Sequence, residues 1–225
     1  MKKLGFKIRS SQFVKNLMTW RGKNNLDFCF PWRNAGDPYK VLIAEILLKK
    51  TTRKQVANQW FKFIKKYPDF NALKNAKTAS LLKVLRPLGL EHVRAKQLKR
   101  LASVIVSEFS GKVPSDQDKL LSLPGVGRYS ANAVLSFIFN YDISMIDANT
   151  ARVLQRVFGL KSKKKRPRAD NAWWTFAESL PPKGKGKEFN YGILDFASEI
   201  CTAKNPKCSI CPMSKICIYY KHLAS

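Results

Sequence analysis

Between one proline or glycine break and the next, the apolar residues of this chain recur at three- and four-residue spacing, and that periodicity restricts the fold more than any other feature. Val56, Trp60, Phe63 and Ile64 form one stripe and Leu98, Leu101, Ala102 and Ile105 a second. Val153, Leu154, Val157 and Phe158 form a third, and Phe189, Ile193, Phe196, Ala197 and Ile200 a fourth. No stretch alternates for long enough to make a strand, so an all-α protein is expected. The breaks fall at Pro31, Asp37-Pro38, Pro68, Pro87 to Gly89, Gly111 to Pro114, Pro124 to Gly127, Gly159 and Pro181 to Gly186. Ser115-Asp116-Gln117-Asp118 has the form of a capping box and predicts the start of the helix that leads into the Pro124 break.

Apolar residues make up 45% of the 225, with five Trp and seven Tyr among them, enough for a folded core and for one or two small domains. The 42 Lys and Arg outnumber 15 Asp and Glu, a formal charge of +27 that repels itself unless it meets a polyanion. Ribosomal and other scaffold proteins share such a balance, so charge alone implies phosphate binding and no particular chemistry. The densest run, Lys161 to Arg168, reads as a solvated basic connector. No run approaches the roughly 20 apolar residues of a membrane span, and Lys2-Lys3 leads into no apolar signal core, so an intracellular protein is expected.

Residues 123 to 153, LPGVGRYSANAVLSFIFNYDISMIDANTARV, carry the first functional signal. Pro124 fixes its φ and lacks an amide hydrogen, while Gly125 and Gly127 permit left-handed backbone and close approach. The amides from Gly127 toward Tyr129 lie at the first turn of the next helix, where unpaired N–H groups favour an oxyanion. Leu123, Gly125, Val126, Gly127 and Arg128 are therefore candidates to hold a DNA backbone phosphate without reading a base. A glycine-rich cap joining two packed helices would leave the same trace.

Of five cysteines, one is Cys29 and four crowd into Cys201, Cys208, Cys211 and Cys217, spaced C-x6-C-x2-C-x5-C. Four thiolates within 17 residues can wrap one soft site, a cubane 4Fe–4S cluster or a zinc ion. Structural zinc more often pairs two CxxC knuckles, and only Cys208 and Cys211 form one here, so the spacing favours the cluster. Lys204, Lys207 and Lys215 lie in or beside the loop, giving the site a structural and DNA-docking character.

The hairpin LPGVGRYSANAVLS, the following IDANTARV, the upstream DPYKVLIAEILLKKTT and the cysteine tail together make the chain resemble the helix-hairpin-helix DNA glycosylase superfamily, which includes endonuclease III and the adenine glycosylases of the MutY type. The motifs span nearly the whole chain. The resemblance implies two lobes: a six-helix barrel-like lobe over residues 32–140, and a cluster lobe built from 1–31 and 141–225. It also implies double-stranded DNA as partner, a monomer, and a target nucleotide flipped out of the stack.

Carried over position by position, the resemblance makes Asp147 the catalytic aspartate, whose carboxylate would stabilise positive charge on the sugar as the glycosidic bond breaks. The same residue could equally cap the helix that follows. Tyr129 stands where endonuclease III-like members have a lysine that attacks C1′ and forms a Schiff base. A phenol cannot form that imine, so base removal without strand cleavage is expected. Glu45, the only acid in Val41 to Leu48, would protonate a departing base as the matching glutamate does in MutY-type enzymes; its neighbours suggest that it emerges at the edge of an apolar face, near Lys49.

Lys49 and Lys50 stand where adenine glycosylases usually have Gln-Gln, and Lys50 is a candidate to fill the vacated stack, to contact the orphaned guanine or simply to bind phosphate. The turn Arg86 to Leu90 is expected near the opposite strand. With eight residues after Cys217, where adenine glycosylases continue into a further domain, the chain most resembles the archaeal Mig-type thymine-DNA mismatch glycosylases, which remove T or U opposite G. An adenine glycosylase, or a cluster-bearing DNA-binding protein without catalysis, remains the alternative expectation.

Overall fold

The computed structural model describes residues 2–223, with side chains from Gly5 onward. Helices account for all regular structure among the described residues: α1 (Lys2–Lys23), α2 (Pro38–Leu47), α3 (Arg53–Lys66), α4 (Phe70–Lys74), α5 (Thr78–Leu85), α6 (Glu91–Glu108), α7 (Gln117–Ser122), α8 (Arg128–Phe137), α9 (Ala148–Phe158), α10 (Asn171–Glu178), α11 (Gly186–Glu199) and α12 (Ile218–Leu223). None of them is long and apolar enough to cross a membrane.

Local chemistry explains most helix starts. Asp37 accepts from the Tyr39 and Lys40 amides while Pro38 occupies the first turn of α2, where no amide donor is needed. Thr52 and Gln55 form a full capping box at α3, and Asp69 caps α4. The expected box before α7 is shifted by one residue: Asp116, not Ser115, caps the helix, accepting from the Lys119 amide at 2.9 Å. A carboxylate offers two acceptor atoms and no competing donor, and it is Asp116 that takes the extended cap conformation.

The chain divides into two compact units. The continuous one, Leu26–Phe139, holds α2 to α8 around Leu42, Ile43, Leu47, Phe63, Leu85 and Leu98, all fully buried. Trp32 packs edge-on against Trp60 at 5.7 Å, and Tyr39 against Phe70 at 4.7 Å. The other unit joins Met1–Asn25 to Asn140–Ser225. There α1 lies along α11, with Phe13 edge-on to Phe158 at 5.3 Å and Trp20 to Phe196 at 5.5 Å. A buried Arg21–Asp195 ion pair at 3.4 Å ties the same two helices. Replacing either partner alone would leave an uncompensated buried charge, a cost of about 3–5 kcal/mol.

Candidate functional site

In the Leu26–Phe139 unit, α7 and α8 form the two arms of a hairpin. Leu123 and Val126 turn inward and are buried, and between them Gly125 takes φ +77, the left-handed region in which a side chain is strained. Gly127 differs from the sequence expectation: at φ −107 it is an ordinary extended N-cap, so no left-handed backbone is required of it. A Cβ there would meet nothing within 4 Å, and glycine offers no side chain to cap the first turn. The open front of α8 is thus left to its own amides and helix dipole. Arg128 opens the helix and half-buried Tyr129 follows it. A hydrogen bond from Gln117 Nε2 to the fully buried Asn132 Oδ1, 2.6 Å long, holds the arms together.

The turn after α2 reaches this hairpin. The Lys49 amine donates to the Gly125 carbonyl, and Gln97 Nε2 donates to the same oxygen at 3.3 Å. Lys49 is exposed as a residue, yet desolvation lowers its pKa from the usual lysine value, while the Glu45 carboxylate acts to raise it. Glu45 itself corrects the expectation of an edge position. Tyr39 and every residue from Val41 to Leu47 are buried, so α2 has no exposed flank there, and Glu45 is 5% exposed. Lys50 is exposed and left-handed at φ 55.

The second unit holds Asp147, half-buried as the N-cap of α9. Its Oδ1 accepts from the Asn149 and Thr150 amides, both at 2.8 Å, and its Oδ2 accepts from Asn149 Nδ2 at 3.0 Å. Capping is therefore real, and it fixes the carboxylate's direction. Asn149 Oδ1 in turn accepts from Arg152 NH1 at 3.0 Å, while Arg152 donates from Nε to the Cys201 carbonyl at 2.9 Å and from NH2 to the Ala197 carbonyl at 2.8 Å. A continuous polar chain thus runs from Asp147 to the cysteine loop.

Cys201, Cys208, Cys211 and Cys217 line one cavity with Met213, which is fully buried. Burial, and then the neighbouring thiols Cys201, Cys217 and Cys208, push the Cys211 thiol up to about 11 against a hydrogen bond from the Met213 amide. Among the described residues no three Cys, His, Asp or Glu groups converge closely enough to form a site for one metal ion. Four soft donors around a shared cavity suit a bound metal group. Arg156 lies against the loop, NH1 at 3.5 Å from Cys201 Sγ and 2.7 Å from the Thr202 carbonyl.

Sequence reasoning missed Arg94, Asn149, Arg152 and Arg156. Arg94 had left a trace: it sits four residues before Leu98, a charge in the apolar stripe of α6, and it is buried. The other three partner residues distant in sequence or masked by a helix's ordinary polar face, and spacing carried no sign of them.

A family model described as HhH-GPD superfamily base excision DNA repair protein matches residues 43–178, and one described as the iron-sulfur binding domain of endonuclease III matches residues 201–217. The chain is 48% identical over 194 residues to a thymine/uracil-DNA glycosylase of Pyrobaculum aerophilum, covering 85% of this chain and 84% of that one. It is 34% identical to an adenine DNA glycosylase of Buchnera aphidicola, over 94% of this chain but 59% of the relative. The solved structure of a thermostable thymine-DNA glycosylase superposes with a TM-score of 0.91 at 38% identity, covering 96% of this chain and 98% of that one.

Proposed function

Since the chain belongs to the HhH-GPD superfamily of base excision DNA repair proteins, we propose that it is a DNA glycosylase that hydrolyses the N-glycosidic bond of thymine or uracil opposite guanine. The observation that carries the base assignment is the match to thymine/uracil- and thymine-DNA glycosylases along most of both chains. The hairpin supports the mode of binding: Gly125 to Arg128 present an uncapped helix start to one backbone phosphate of duplex DNA. In this reading the chain acts as a monomer. A wobble pair costs less to open than a matched one, so mispairing itself lowers a flipping penalty on the order of a few kcal/mol.

In this reading Asp147 sits beside C1′. As the bond breaks, its electron pair leaves with the pyrimidine N1 and positive charge gathers on the sugar, which the carboxylate stabilises while orienting the attacking water and taking up the proton that the water loses on bonding to C1′. Glu45, shielded from solvent, would enter the reaction as the neutral acid and supply a proton to the departing base. Tyr129 offers no amine, so water alone captures the sugar and an abasic site remains. The four cysteines would hold a 4Fe–4S cluster, which supplies a rigid anchor for the loop and no step of the hydrolysis.

Labelled duplexes carrying G·T, G·U, A·G and A·oxidised-G pairs, treated with alkali after incubation, test this. Cleavage of G·T and G·U is expected. Release of adenine alone would replace the reading with an adenine glycosylase, to which the Buchnera similarity points, and binding without release from any pair would leave a non-catalytic protein. Tyr129→Lys is expected to gain a borohydride-trapped adduct with G·T duplex, seen as a shifted band on a denaturing gel. No adduct would mean that position 129 does not face C1′.

A further inference from the structure

Arg94 is 3% exposed, and its guanidinium serves five acceptors. Nε donates to the Gly89 carbonyl at 2.8 Å; NH1 donates to the Ile46 and Leu47 carbonyls at 3.0 and 2.8 Å; NH2 donates to the Lys49 carbonyl at 2.7 Å and to Thr51 Oγ1. Five N–H donors meet five acceptors, so the side chain is fully used. Ile46 and Leu47 end α2, where a cation also meets the negative end of the helix dipole. The other acceptors belong to two separate turns. One carries Lys50, the other Gly89 and Leu90.

Each of these turns holds a residue with a side chain in the left-handed region, Lys50 at φ 55 and Leu90 at φ 54. Such conformations persist only where the surroundings fix them. Both side chains point into the open: Lys50 is exposed, and Leu90, an aliphatic residue, is 50% exposed. A second tie runs directly between the turns, Thr51 Oγ1 to the Leu88 carbonyl at 3.3 Å. Two strained tips with outward side chains, bolted to one buried cation, form a two-pronged shape. Apolar side chains wedged between base steps are a known way of unstacking DNA, and a long cation suits the gap left by an everted nucleotide.

We propose that Arg94 is a positioning residue that fixes the Lys50 and Leu90 turns as one tool for opening a base pair. Arg94 touches neither DNA nor the reacting atoms; it sets the spacing and strain of the two tips. The inference rests on the glycosylase reading for its substrate, a mispaired duplex, but not on the excised base being identified correctly.

The test reads opening separately from excision. A duplex with 2-aminopurine beside an uncleavable 2′-fluoro-arabino thymidine opposite guanine reports unstacking by fluorescence. Wild-type protein is expected to raise the signal on binding. Arg94→Lys keeps the charge but has three donors in place of five; it is expected to bind within about threefold while its opening equilibrium falls roughly tenfold, a coupling of ordinary size for groups in one network. In a Lys50→Ala/Leu90→Ala background, where the tips are gone, Arg94→Lys should change opening by less than about twofold.

Equal losses in both backgrounds would show general support of the fold and overturn the proposal, as would full opening by Arg94→Lys or no opening by the wild type. Should Arg94→Lys fail to fold, Thr51→Val, which removes one acceptor and the direct tie to Leu88, enters the same cycle with the same expected pattern. The expected pattern without excision from any mismatch would sink the glycosylase reading alone.

Discussion

Asp147→Asn is expected to slow base release from a G·T duplex by roughly 100- to 1000-fold, the usual cost of removing one electrostatic contact to a developing charge, while duplex affinity stays near wild type. The substitution separates the proposed catalytic role of this residue from its observed capping. Asparagine caps a helix as well as aspartate does, and its carbonyl oxygen can still accept from the Asn149 and Thr150 amides that now reach Oδ1 at 2.8 Å. What disappears is the negative charge, together with one hydrogen bond. The new amide would face Asn149 Nδ2, donor against donor, and Asn149 cannot flip without losing Arg152 from its Oδ1. That loss is worth about 1 kcal/mol, a shift of roughly 2–4 °C in melting midpoint for a chain of this size. Single-turnover excision, followed by alkali cleavage, measures the first effect and thermal melting the second. Release within threefold of wild type would remove the carboxylate from the chemistry. A large fall in Tm with a matching fall in rate would make Asp147 a cap and nothing more.

The contrast between Asp147 and Glu45 shows how far the chain could be read without its fold. A helix cap is local: Asp147, Asp37 and Thr52 lie within three residues of the amides they serve, so their positions announce α9, α2 and α3. Gly159 closes α9 at φ 67 for equally local reasons. Burial of Glu45 is not local. It follows from α3, α6 and α8 packing around α2, which covers the flank that the sequence pattern leaves open. Gly127 illustrates the opposite error: a glycine suggests left-handed backbone, while the hairpin needs that conformation only at Gly125. The ties that organise the candidate site are longer still. Arg94 joins residues 43 to 48 positions upstream, and Arg152 reaches the Cys201 carbonyl 49 positions downstream. Spacing can show that an arginine sits in an apolar stripe, but not which carbonyls await it.

Cys208→Ser is expected to abolish the visible absorption of the iron–sulfur group and to loosen the unit built from Met1–Asn25 and Asn140–Ser225, because the 201–217 loop has little regular structure of its own. Between α11 and α12 the chain forms one short 3-10 turn, Cys208–Ile210, and contributes a single fully buried apolar side chain, Met213. Structural metal sites supply on the order of 10 kcal/mol, comparable with the whole stability margin of about 5–15 kcal/mol of an ordinary domain. The loop also props α9: Arg156 donates to the Thr202 and Ala203 carbonyls, and Arg152 to Cys201. With Asp147 acting as proposed, excision should fall with the cluster, through Arg152 and Asn149 to Asp147, without any cysteine entering the proposed hydrolysis. Because burial and then the neighbouring thiols raise Cys211 to about 11, ligation must displace protons, and rebuilding the site from iron and sulfide becomes more favourable as pH rises. Circular dichroism melts with amide exchange resolve the two units: protection should vanish around α9 and α11 and persist around α2 and α8. Protection unchanged in α9, with excision intact, would mean that the loop folds and the aspartate is held without any metal group.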